Sequence, residues 1–328
     1  MSGDVRNRPA TTSDVARLAG VSRATVSHIL NGYKGKFSAE TETRVREAAA
    51  KLDYSPSVVG RVLAKGRSDV LIVMLPPISI SLRTQQALDS INSAAERLGL
   101  NMLTWFSRKE RHSPLAAIRY IKPAAVVDLA ALDSADRSDL ERANIPLIPS
   151  SRAIQAQHSP LPDDLIGEAQ LDFLEGRRVV FANLVDENIP WPASLAREDS
   201  VRKACIRRGI SEPLVMNEDL SLGRAIELLK EVLHELPLGV ACYNDEAASA
   251  VLAAAQALDL RVPEDVAIVG VDATPLGQLL QPRLTTIDVD REVGLSAVLR
   301  ELESTITGEP MQYTDLTYAI TVVKGGTA

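Results

Sequence analysis

Five side chains between positions 23 and 28 offer the first recognisable chemistry. Arg23, Ala24, Thr25, Ser27 and His28 are small or hydrogen-bonding, and their spacing places them on the outward side of a short helix. Side chains of that size and type suit a helix seated in the major groove of duplex DNA. There each base pair shows a distinct pattern of donors and acceptors. Val26, Ile29 and Leu30 recur at i, i+3, i+4 spacing and give the same helix an inward side.

The elements that must hold this face are legible on either side of it. Thr11 is a cap for an earlier helix, with Asp14 three residues on in the capping-box position. Val15, Ala16 and Leu18 are expected on its inner face. Gly20 suits a left-handed turn, and Ser22 caps the second helix. The pattern is a helix-turn-helix; two ordinary surface helices of an all-α subdomain are the alternative. Thr11, Ser22 and Asn31, at the ends of the two helices, join the DNA-contacting set. Lys34 and Lys36 lie in the following loop, where they can meet phosphates or simply face water. From Ser38, Val45, Ala48, Ala49 and Leu52 form the packing stripe of a third helix.

Charge distribution supports a nucleic-acid partner although the whole chain carries −7. Residues 1–68 hold twelve Lys/Arg against six Asp/Glu, net +6, which leaves −13 for the remainder. A basic head on an acidic body is the pattern of a tethered nucleic-acid-binding module. With 328 residues and 45% hydrophobic content the chain can build several domains with a large core. No run reaches the ~18 apolar residues of a membrane span, and residues 1–9 lack the apolar stretch of a secretory signal. Cys205 and Cys242 make neither a disulfide framework nor a metal cluster. A cytoplasmic protein without membrane association, metal or cofactor is expected.

After residue 68, apolar strands alternate with amphipathic helices, the signature of doubly wound parallel sheets. Residues 70–75, 100–106, 124–129 and 146–148 make a first series of strands. Residues 178–185, 214–216, 238–243 and 266–271 make a second, and residues 158–162 read as a crossover between them. Open α/β sheets bind ligands at the carboxyl ends of their strands. Asn244 and Asp245 end one such strand and are therefore ligand candidates, with a helix cap as the alternative for Asp245. Trp191 could stack on a ring.

The residue order of 14–32 resembles the lac repressor/galactose repressor family of bacterial transcription regulators. So do residues 37–45, residues 54–57 and, in the body, residues 239–245, 260–272 and 282–287. The resemblance spans nearly the whole chain and is weakest over 76–175. It implies a three-helix DNA-binding headpiece at 1–55, a hinge at 56–68 and a two-lobed, periplasmic-binding-protein-like α/β effector domain at 69–328. Its first lobe would take about 69–158 and 288–310, its second about 159–287 and 311–328. It also implies a homodimeric repressor on a pseudopalindromic operator, with Leu63 wedged into the central minor groove. A small-molecule effector, a sugar or derivative, would sit between the lobes, with Arg197 and Asp245 as the matching contacts. A surface ion pair is the plain alternative for Arg197.

Several positions depart from the family pattern. Ser57 stands for the usual asparagine and Gly60 for the usual alanine, so a looser hinge is expected. His28 stands where many relatives have arginine. Pro76 to Ser81 lack the aromatic of the usual ligand-covering loop, so a common sugar does not follow. Nothing after Val323 forms an appended heptad segment, which favours a dimer. Two other classes remain in view, a solute-binding module with a vestigial head and an enzyme. No nucleophile elbow, phosphate loop, zinc-ligand set or paired carboxylate supports the latter. Asp163-Asp164 reads as a helix start, and His28, His112, His158 and His234 are scattered.

Overall fold

The computed structural model describes residues 10–30, 36–54, 66–76, 82–106, 115–159, 162–186, 189–190 and 192–328. Backbone contacts divide the chain into two units, Met1–Ser68 and Asp69–Ala328.

The first unit is built from α1 (Thr12–Ala19), α2 (Arg23–Leu30) and α3 (Ala39–Lys51). Thr11 and Asp14 start α1: the Asp14 carboxylate accepts from the Thr11 backbone N–H at 3.0 Å and from its hydroxyl at 2.6 Å. Gly20 ends the helix at φ 67, a conformation that glycine adopts without strain. Ser22 and Ser38 cap α2 and α3 by accepting from the N–H of Thr25 at 3.0 Å and of Thr41 at 3.3 Å. Val15, Ala16, Ala19, Val26, Ile29, Val45, Ala48 and Ala49 form the core. Leu18 does not join it and is 47% exposed. On a helix of 3.6 residues per turn Ala19 falls between Val15 and Ala16 in angle, whereas Leu18 points well to one side.

The second unit runs β1 (Val70–Leu75), α4 (Leu82–Arg97), β2 (Asn101–Phe106), α5 (Leu115–Ile121), β3 (Ala125–Asp128), α6 (Ser134–Arg142), β4 (Leu147–Ile148), α7 (Ser151–Gln155) and α8 (Pro162–Leu171). It continues with β5 (Arg178–Asp186), β6 (Ile189–Pro190), α9 (Pro192–Arg207), β7 (Leu214–Glu218), α10 (Leu222–Val232), β8 (Leu238–Cys242) and α11 (Asp245–Ala257). Then come β9 (Val266–Val271), β10 (Thr285–Val289), α12 (Glu292–Thr307) and β11 (Ile320–Val323).

Two sheets result. The first has the order β2-β1-β3-β4, all parallel, with Leu71 opposite Met102 on one side and Ala125 on the other. Alternate residues feed opposite faces: Leu71 and Val73 pack with Ile91 and Ala95 of α4, Ile72 and Met74 with Leu115 and Ile118 of α5. Although α12 lies between β10 and β11 of the second sheet in sequence, its Leu302 packs in the first sheet's core. The chain therefore crosses between the lobes more than once.

The second sheet has the order β11-β10-β9-β8-β5-β6, with β7 also on β5. Strands β5, β7, β8, β9 and β10 pair in parallel, and β11 and β6 pair antiparallel to β10 and β5. These two edge pairings are the antiparallel exceptions in otherwise parallel sheets. β11 returns from the segment after α12 and reaches the sheet edge without a βαβ crossover. β6 follows β5 after only two residues, too few for the connection that parallel pairing needs.

Candidate functional site

The outward face of α2 presents Arg23 and Ala24 exposed, with Thr25, Ser27 and His28 half-buried beside them. Thr25 contributes less hydrogen-bonding freedom than its type promises, because its hydroxyl shares a 2.9 Å bond with Ser22. The His28 ring lies 6.2 Å from the Phe37 ring, tilted by 33°. Thr11 is turned to Asp14, and Lys36 is exposed. Thr12 and Tyr54 share a 2.7 Å hydroxyl bond that ties the start of α1 to the residues after α3. Asn31, Lys34 and Leu63 lie outside the described residues, as does most of the expected hinge.

In the second unit a cavity of about 1850 Å³ opens between the carboxyl ends of the two sheets. Leu75, Pro76 and Asp128 line it from the first sheet, Tyr243, Asn244 and Asp272 from the second. Those residues stand at or just past the ends of β1, β3, β8 and β9, where a parallel sheet frees its strand termini.

Arg197, in the second turn of α9, lines the same cavity and is only 4% exposed. Its Nε and Nη2 each lie 2.9 Å from Asp163 Oδ1, its Nη1 donates to the Tyr243 carbonyl, and its guanidinium lies 4.9 Å from the Tyr243 ring centre. Burial alone would depress this guanidinium, but Asp163 beside it holds it above the ordinary arginine range. It is therefore a fixed, paired cation and not a helix-surface ion pair. Across the cavity Asp128 accepts from the N–H of Ala131 at 2.8 Å and of Leu132 at 3.2 Å, and from Arg137 Nη1 at 2.6 Å. Burial nevertheless pushes its carboxyl up.

Asp245 is placed differently from its expected position in the cleft. It is 1% exposed and does not line the cavity. Its carboxylate accepts from the Thr274 N–H at 2.6 Å, the Thr274 hydroxyl at 2.9 Å and the Thr286 hydroxyl at 2.6 Å. A side chain at Gly270 would put a Cβ 2.2 Å from its Oδ1. As the first residue of α11, Asp245 points down among β9 and β10 and braces them. Its neighbour Asn244 caps α11, accepting from the Ala247 N–H at 3.0 Å, and also reaches the cavity. Trp191 lies outside the described residues.

Two cavity residues had no assigned ligand role in the sequence. Asp272 follows β9, has φ 95 and sits 3.5 Å from Arg291. The strand-end rule that picks out Asn244 also applies to it. Asp163 sits near the start of α8 as read, but its pairing with Arg197 spans 34 positions and left no local signal. Among the described residues, no group of three or more His, Cys, Asp or Glu is arranged to hold a metal. No described helix is long and apolar enough to cross a membrane.

A helix-turn-helix head and a two-lobed body enclosing a cleft define a DNA-binding regulator with an effector domain. Residues 11–57 match the family described as bacterial regulatory proteins, lacI family, and residues 177–328 match a periplasmic binding protein-like domain. The HTH-type transcriptional repressor PurR of Vibrio cholerae is 30% identical over 310 residues, covering 88% of this chain and 89% of its own. The ribose operon repressor of Bacillus subtilis is 30% identical over 283 residues, covering 85% and 86%. A crystal structure of the lac repressor dimer bound to operator and the anti-inducer ONPF shares the fold, with TM-score 0.72 at 22% identity over 98% of this chain and 99% of that one. The chain belongs to the lacI family of bacterial regulatory proteins.

Proposed function

We propose that the protein is a cytoplasmic, homodimeric transcriptional repressor and not an enzyme, and that it binds a pseudopalindromic DNA operator and releases or engages it under control of a small molecule held in the cleft. The exposed Arg23–Ala24 face of α2, on a capped and packed three-helix unit, is the observation that carries this reading. Arg23, Ala24, Thr25, Ser27 and His28 face the bases. Thr11, Ser22, Asn31, Lys34 and Lys36 meet the backbone, and Leu63 enters the minor groove between half-sites. Relatives named as repressors, and a fold relative crystallised as a dimer on its operator, support this reading.

For the ligand, Arg197, Asn244 and Asp272 are the contacts the cavity favours, since all three line it at strand or helix ends. A ligand that touches both lobes binds one interlobe angle better than another. Only such differential binding can shift the regulator between states. The test is selection of bound sequences from a random duplex library with the full-length protein. An enriched inverted repeat is expected, bound at least a thousandfold more tightly than random duplex. No enrichment at moderate salt would sink the assignment.

A further inference from the structure

The second lobe buries polar groups that no described residue satisfies. Asn183, in β5, is 1% exposed, and neither its amide oxygen nor its amide nitrogen has a hydrogen-bond partner among the described residues. The Ser194 hydroxyl, in the first turn of α9 at 0% exposure, and the Asn217 amide oxygen, in β7, are equally unpartnered. Asn183 and Asn217 are register partners on adjacent strands. Ser194 stands three residues before Arg197, on the same side of α9. Ala182, next to Asn183, accepts from the N–H of Tyr243, a cavity residue, at 2.8 Å. None of the three lines the cavity itself; Asn183 follows the residue bonded to Tyr243, and Ser194 stands one helical turn before Arg197, so two of them lie one step behind its wall.

An unbonded buried amide or hydroxyl is costly, and folded proteins keep such groups mainly where something else completes them. This set holds both donors and acceptors and no charge. The neighbouring cation is already taken by Asp163, so the site does not call for an anion. We propose that the effector site continues inward past Arg197 into a subsite of Asn183, Ser194 and Asn217 that takes an uncharged ligand group able both to donate and to accept. The assignment rests on reading the cleft as the effector site.

Thermal unfolding of the full-length protein tests it, alone and with D-ribose, D-glucose, nicotinamide, D-gluconate or D-glucosamine. At least one uncharged probe should raise the midpoint, and the charged pair should not. Asn183→Leu, which deletes two orphaned atoms, should raise the ligand-free midpoint by about 2–4 °C and weaken probe binding at least tenfold. Ser194→Ala, a smaller change, should leave the ligand-free midpoint level or higher and also weaken the probe. A lower ligand-free midpoint in Ser194→Ala, preference for a charged probe, or no response to any uncharged probe overturns the proposal. If Arg197→Gln abolishes the response and Asn183→Leu does not, the subsite falls and the cleft reading stands. If neither changes it, the cleft reading falls as well.

Discussion

Glu218 closes β7 with its carboxyl buried, and neither oxygen has a hydrogen-bond partner among the described residues. Burial, with Asp219 beside it, pushes the group from 4.5 up to about 8. The folded state thus holds a proton that the unfolded chain releases near 4.5. Stability from this group is complete below pH 4.5 and is lost progressively as pH rises to about 8. Glu218→Gln should remove that loss, so the variant should gain on the wild type between pH 6 and 8.5 in denaturant titrations. Parallel profiles for the two proteins would reject a buried, raised Glu218. A second contrast at this scale separates brace from ligand contact. Asp245→Ala strands the Thr274 N–H and the Thr286 hydroxyl inside the lobe and should cost about 2–3 kcal/mol. Asp272→Asn, which keeps a side chain that tolerates the left-handed φ of 95, should leave the unfolding midpoint nearly unchanged and weaken any ligand that raises it. Equal stability loss in both variants would contradict this division. Asp245 was readable as a strand-end acid, but the hydroxyls that claim it lie 29 and 41 positions away. Sequence spacing supplies no direction for a side chain so placed.

Among the elements, the helices and strands that could be read were those whose partners are local. The turn at Gly20, the caps at Ser22 and Ser38, and the apolar runs of β1, β8 and β9 follow from period and propensity. The short β6 and the late β11 carry little such signal, because each is fixed by the strand it lies against. The crossovers show the same limit. The Asp315 carboxylate accepts from the N–H groups of His158 at 2.8 Å and Ser159 at 2.9 Å, and from the Ser159 hydroxyl at 2.7 Å. Gln157 exchanges two bonds with the backbone of Leu316, at 2.8 and 3.0 Å. These bonds staple two connecting segments that are some 156 to 159 residues apart in sequence. The Ser159 bonds, with that from His158, hold the Asp315 carboxyl at about 2. The staple therefore contributes above the ordinary carboxylate range near 3.8 and fails only as pH falls through about 2. Asp315→Ala should speed amide exchange at His158 and Ser159 at neutral pH while the strands of both sheets keep their protection. Unchanged exchange at those two amides would show that the staple does not restrain the crossover.

At the scale of the whole molecule, charge and surface divide the labour of recognition. A chain of net −7 with +6 in its first 68 residues offers DNA one basic region. Phosphate contacts there set affinity and its salt dependence, and base contacts set preference. Lys36 is exposed in the stretch before α3, whereas Arg23 and His28 belong to the outward face of α2. Substitutions at the two places should therefore fail differently. Lys36→Ala should weaken every duplex by a similar factor. In a homodimer, which carries two copies, it should also reduce the slope of log affinity against log salt by about 2. His28→Arg should leave that slope nearly intact and move the half-site preference toward guanine, because a guanidinium can bond O6 and N7 together where an imidazole cannot. That change is worth about 1–3 kcal/mol per half-site. Binding of selected and scrambled duplexes over a salt series separates the two effects. If Lys36→Ala altered preference, or His28→Arg altered only the salt slope, then α2 would not be the element that reads sequence.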